Sequence, residues 1–114
     1  MTKKSGLVVI LSTTAPEEAP VIAEKLVAEH LVACVNILPV RSIYRWQEKT
    51  CDDEEQLLIM KTTEENAGTV TTAIKKLHSY VVPEIIVLPV TGGYPPYLGW
   101  VARETGSRNQ GLQA

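Results

Sequence analysis

Along the chain, apolar runs alternate with amphipathic stretches. Residues 6–12 (GLVVILS) form a continuous apolar run with β-branched side chains, the pattern of a central strand buried on both faces. A helical stripe follows. Ala19, Ile22, Ala23 and Leu26 recur at i, i+3, i+4, i+7, with Glu17, Glu18, Glu24, Lys25 and Glu29 mostly off that face. Thr14 and Glu17 have the spacing of a capping box, but that register puts Pro20 inside the helix, where it removes a hydrogen bond. A start near Glu17 keeps Pro20 in the first turn and is preferred.

Residues 32–46 (VACVNILPVRSIYRW) read as a long strand interrupted at Pro39, which implies an edge, a bulge or a bend. Residues 48–55 read as a polar turn and residues 56–62 (QLLIMKT) as the returning strand, so the two strands form a hairpin. In the second helix, Thr62 and Glu65 match a capping box, and Ala67, Val70, Ile74 and Leu77 form the apolar stripe. Gly68 and the neighbouring threonines weaken its intrinsic propensity, so packing must hold it. Pro83 breaks the chain. Residues 84–90 (EIIVLPV) are the fourth strand, Gly92-Gly93 is a turn, and Pro96 opens a short helix carrying Leu98, Trp100 and Val101. The order β-α-β-β-α-β plus a short terminal helix is the split βαβ, ferredoxin-like arrangement of an α+β sandwich. One domain is expected over residues 1–114, with its core in 6–104 and a frayed polar tail over 106–114.

The long strand argues for assembly. At about 3.3 Å per residue, residues 32–46 reach about 50 Å, whereas a domain of this length is about 35 Å across. The strand must therefore bend at Pro39 or project beyond its own domain. Its far end carries Ile43, Tyr44 and Trp46, poor residues to leave bare. Burial against another subunit resolves both problems.

Composition narrows the function classes. The net charge is −2 and the pI about 5.7, so the basic face that a nucleic-acid binder needs is missing. No apolar run is long enough to cross a bilayer. The basic start, Met1 to Lys4, precedes an apolar run over 7–11 that is too short for a signal h-region, so a cytoplasmic protein is expected. Cys34 and Cys51 are the only cysteines and make no disulfide framework. No G-x-S-x-G, H-E-x-x-H or P-loop occurs in the sequence, which points away from an enzyme.

Candidate chemistry has two readings at each position. His78 is the best single metal-ligand candidate, but at the end of the second helix it can also serve the helix terminus. Cys34 is a soft ligand only as a thiolate, and in its apolar stretch it is most simply a core residue. Cys51, beside Asp52, Asp53, Glu54 and Glu55, collects metal weakly or sits in a solvated turn. Tyr44, Trp46, Lys61, Tyr80 and Glu84 either line a pocket at a subunit junction, with aromatic walls and orienting charges, or pack an interface in which Lys61 pairs with Glu84.

Several segments together are distinctive: Ala33-Cys34-Val35-Asn36-Ile37, Ser42-Ile43-Tyr44-Arg45-Trp46, residues 55–62 (EQLLIMKT), residues 78–86 (HSYVVPEII), and Tyr97-Leu98 followed by Trp100. In this order they resemble the CutA divalent-cation-tolerance family. The resemblance implies a ferredoxin-like subunit assembled as a homotrimer. It also implies a part in the response to divalent metal ions, with Cu(II) or another divalent cation as ligand and no obligatory cofactor. The chain departs from the resemblance in two places. Glu48 stands where the hairpin turn often has glycine. Thr13 and Leu77-His78 stand where a copper site proposed for some bacterial members has a cysteine and adjacent histidines, leaving His78 alone of that set. A second function class stays open: a PII-like trimeric regulatory or scaffolding module binding a small molecule or protein at inter-subunit clefts, an analogy of fold only.

Overall fold

The computed structural model describes residues 5–105. Its elements are β1 (Leu7–Thr14), α1 (Ala19–Ala28), β2 (Cys34–Trp46), β3 (Lys49–Thr63), a turn of 3-10 helix (Glu64–Asn66), α2 (Ala67–Leu77), β4 (Ile86–Val90) and α3 (Pro95–Glu104). The strands form one antiparallel sheet in the order β2-β3-β1-β4, the topology expected of β-α-β-β-α-β. The tail expected to fray, 106–114, lies outside the described residues.

Side-chain alternation along the strands builds the core. Val8 and Ile10 of β1 and Leu58 and Met60 of β3 meet Ala19, Ile22, Ala23 and Leu26 of α1 and Val70 and Ile74 of α2. On the opposite face, Val9, Leu11 and Thr13 are half-buried. The expectation that β1 is buried on both faces is thus corrected: its second face is only partly covered. The tail expected to fray aside, α1 starts at Ala19 with Pro20 in its first turn, where the missing N–H costs nothing. It ends at Ala28, and His30, just past the Glu29 cap, takes the left-handed conformation usual for glycine (φ 61°). The His30 ring reaches the Glu104 carbonyl at 3.1 Å and ties α1 to the end of α3.

Two local expectations are corrected. The cap before α2 is Thr63, whose Oγ1 accepts the Asn66 N–H at 3.3 Å. Thr62 instead points into the core and donates to the Leu31 carbonyl at 2.6 Å. The polar stretch 48–55 is strand: β3 begins at Lys49, directly opposite Trp46. Charged residues suit it because this part of the ladder is solvated. The turn is only Gln47-Glu48, both at positive φ (51° and 67°), as a two-residue type I′ hairpin requires.

Pairing between β2 and β3 runs unbroken from Cys34↔Lys61 to Trp46↔Lys49, through Pro39↔Gln56. Pro39 is tolerated because β2 is an edge strand. The hairpin therefore projects and does not fold back, and the subunit measures 49 Å along its longest axis against 32 and 21 Å across. β1 stops at Thr14↔Gln56, so from Glu55 outward the hairpin is a bare two-stranded ribbon.

Candidate functional site

A cleft of about 840 Å³ opens where this ribbon leaves the sheet. Its walls come from Thr13 at the end of β1, Arg41 to Tyr44 and Trp46 on β2, Asp53 and Glu55 on β3, and the irregular segment after α2, from Ser79 to Val82 with Glu84. Register explains the grouping. Ser42 faces Asp53 and Tyr44 faces Cys51, so alternation sets Tyr44, Trp46, Asp53 and Glu55 on one face of the ribbon.

Two tyrosine–carboxylate bonds organise the walls. The Tyr80 hydroxyl donates to Glu55 Oε2 at 2.7 Å, and the Tyr44 hydroxyl donates to Asp53 Oδ2. Burial, reinforced by the Glu55 hydrogen bond, pushes the Tyr80 phenol well above its ordinary range. The bond to Asp53 pushes Tyr44 up to about 12. Both phenols are thus neutral donors at physiological pH. Glu55 is only 5% exposed. Glu84 is exposed and accepts from Thr13 Oγ1 at 3.3 Å. Arg41 forms a two-pronged ion pair with Asp52, at 2.9 and 2.7 Å, which commits its guanidinium.

His78 holds the segment that carries Tyr80. It is the C-cap residue of α2, its N–H bonded to the Ile74 carbonyl at 2.9 Å. Its ring is fully buried. Nε2 donates to the Thr13 carbonyl at 2.7 Å and Nδ1 accepts the Tyr80 N–H at 3.1 Å. The His78 and Tyr80 rings lie 4.5 Å apart, tilted by 55°.

Of the residues expected to line a pocket, Tyr44, Trp46, Tyr80 and Glu84 come together and Lys61 does not. Lys61 faces Cys34 across the ladder and donates to Asn36 Oδ1. It is six residues along β3 from Glu55, about 20 Å away. Nor does it pair with Glu84, which is held by Thr13. Cys34 is half-buried, with Sγ 3.8 Å from Lys61 Nζ, and so is less enclosed than a core residue. Cys51 is also a free, half-buried thiol.

The donors named for copper do not fit a metal ion. Both His78 nitrogens are engaged, so no imidazole lone pair is left to coordinate. Cys34 belongs to the Lys61 end of the ladder. Among the described residues, no group of three or more His, Cys, Asp or Glu is arranged to hold a metal. Sequence reasoning missed Glu55 and Asp53 as wall residues because it assigned them to a turn. Only the strand register, with Val40 opposite Glu55, brings them to the site.

The model of the CutA1 divalent ion tolerance protein family matches residues 7–104. The chain belongs to that family. It is 45% identical over 100 residues to the divalent-cation tolerance protein CutA of Thermus thermophilus, covering 87% of this chain and 97% of that protein. It is 40% identical over 101 residues to the chloroplastic CutA of Arabidopsis thaliana, covering 88% of this chain and 56% of that protein. Among solved structures, the PII-like protein CutA from Nostoc sp. PCC 7120, in apo form, superposes with a TM-score of 0.84 at 37% identity. That match covers 86% of this chain and 96% of the Nostoc chain. Among the described residues, no helix of this CutA1-family chain is long and apolar enough to cross a membrane.

Proposed function

We propose that this chain is the subunit of a homotrimeric, non-catalytic regulatory protein that binds a small organic ligand in the cleft at the root of its hairpin. Divalent-ion tolerance is then an outcome of what the trimer regulates. The observation that carries this reading is the cleft itself: aromatic walls, hydrogen-bonded carboxylates and, among the described residues, no converging metal donors.

Assembly is supported by the bare ribbon. Ile43 is 63% exposed and Trp46 44% exposed, and the sheet ends in β2 and β4, with no further strand on either edge among the described residues. Ile86, Val87 and Leu88 of β4 are exposed too. A neighbouring copy laid along these edges covers apolar surface and open backbone together. The number three is what the family resemblance implies. Two unpaired cysteines favour a reducing, cytoplasmic setting, which cell fractionation checks.

The test combines mass, thermal shift and metal titration. Light scattering at micromolar concentration gives a three-subunit mass. Metal-free screening of small metabolites finds compounds that raise the melting temperature. Cu(II) titration in a non-chelating buffer gives no tight stoichiometric site in the wild type or in Cys34→Ser. His78→Ala costs about 1–3 kcal/mol of stability, because the part-buried Thr13 carbonyl and Tyr80 N–H lose their partner. Nanomolar Cu(II) binding abolished in a folded His78→Ala protein would restore the metal-binding reading.

A further inference from the structure

We infer that the ligand of the cleft is an organic cation, a molecule bearing a protonated amine or guanidinium next to an apolar body. This rests on the ligand-binding reading above and names the ligand's chemistry.

Charge decides against an anion. Asp53, Glu55 and Glu84 line the cleft, and among the described residues its one cationic lining residue is Arg41. Arg41 already has two hydrogen bonds to Asp52. Among the described residues, a phosphate or carboxylate entering here meets acidic oxygens and no free cation, and the Lys61 ammonium is at the other end of the ladder.

Hydrogen-bonding capacity points the same way. A carboxylate offers about four acceptor sites. Tyr80, Tyr44 and Thr13 each supply one donor, to Glu55, Asp53 and Glu84 respectively. Glu55 is the telling case. It is almost wholly buried, yet among the described residues only Oε2 receives a hydrogen bond. Its Oε1 receives no hydrogen bond among the described residues, yet it is not sealed from solvent, since Ser12 Oγ is the buried side-chain atom left without a partner there. A ligand can reach it, and a carboxylate this buried gains from compensating charge and hydrogen bonds. An N–H-bearing cation supplies both.

The remaining wall suits an organic ion better than a metal ion. Tyr44 and Tyr80 bring aromatic rings to the cleft wall, and aromatic rings attract cations; both phenols stay neutral. The carboxylates are spread around a cavity that has room for a small molecule, and they do not converge as a metal site needs.

Calorimetry on the whole protein, with three matched probes, tests this. Phenethylamine, protonated at neutral pH, is compared with neutral 3-phenylpropan-1-ol and anionic 3-phenylpropanoate. The amine is expected to bind, more weakly as salt is raised, and the alcohol and carboxylate to bind at least about tenfold more weakly. Glu55→Gln keeps the shape and an acceptor for Tyr80, and should weaken the amine by about tenfold or more. Glu84→Gln, at an exposed position, should weaken it less and cannot be dismissed as misfolded. Preferential binding of the carboxylate, or equal binding of the alcohol, overturns the cationic-ligand inference while leaving the cleft a ligand site. Amine binding unchanged in both variants also overturns it, since general attraction to an acidic protein would then suffice. Absence of binding by all three probes, in a protein of trimeric mass, counts against the ligand site itself.

Discussion

The two halves of the β2–β3 ladder present opposite situations to solvent. Toward Lys61, the strands are part of a four-stranded sheet backed by α1 and α2. There Leu58 and Met60 are fully buried by residues of the same chain. Toward the turn, beyond Glu55, the same strands have no third strand among the described residues, and Ile43 and Trp46 stand in solvent. A lone two-stranded ribbon is marginally stable in water. The first half is thus completed by its own chain, whereas the second asks for a neighbour. The cleft lies at the boundary, where a rigid sheet meets a ribbon whose surroundings depend on assembly.

The largest expected effect falls on the self-sufficient half. Leu58→Ala leaves a cavity beneath α1 and α2 and should lower subunit stability by about 2–5 kcal/mol. Urea unfolding at a fixed concentration measures it. A loss well under 1 kcal/mol would show that the helix-backed core relaxes into the space and is not tightly packed.

Trp46→Asp sharpens the contrast from the other side. It removes an exposed aromatic from the ribbon and puts a charge where a neighbouring subunit is proposed to pack. The isolated subunit should lose little, because Trp46 is exposed on the ribbon and is not part of the core cluster. The assembly should lose much: the light-scattering mass should fall toward that of a single chain on dilution, and the melting temperature should drop at a fixed protein concentration as the stabilisation from association is lost. An unchanged mass and melting temperature would place Trp46 outside the interface.

How far the sequence could be read follows the same division. The helix-backed half has its periodicities resolved within the chain, so the stripe Ala19, Ile22, Ala23, Leu26 and the stripe Val70, Ile74 were legible, as was the element order. The ribbon was misread from 48 to 55 because Asp52, Asp53 and Glu54 lack an apolar alternation. A strand exposed on both faces needs none, so polarity was taken for a turn. That error carried Glu55 and Asp53 out of the candidate site. Tyr44, Trp46, Tyr80 and Glu84 were legible as aromatic and charged residues near a strand end and a helix end. Lys61 was not separable from them, because its distance from Glu55 is set by the strand register. The buried role of His78 depends on a carbonyl in β1, remote in sequence, and no local pattern announces such a contact.

The smallest expected effect is in the turn that ends the ribbon. Gln47 and Glu48 both adopt left-handed backbone conformations, which side chains other than glycine and asparagine resist. A type I′ turn favours Asn-Gly because those residues reach positive φ cheaply. The double substitution Gln47→Asn and Glu48→Gly should therefore stabilise the hairpin, by about 0.5–1 kcal/mol. Part of that gain is offset by the greater freedom of glycine in the unfolded chain. Whether the gain appears in the global unfolding curve depends on how tightly the ribbon is coupled to the helix-backed sheet. If the ribbon melts with the core, urea unfolding shifts to higher denaturant. If the ribbon opens on its own, the global curve stays put and hydrogen exchange slows only at amides near the turn, such as Lys49. In the trimer, a neighbour clamping the ribbon should couple it to the core, so the global shift should be larger in the wild-type background than in Trp46→Asp. Equal shifts in the two backgrounds would mean that the ribbon's stability is set within one chain and that assembly adds nothing to it.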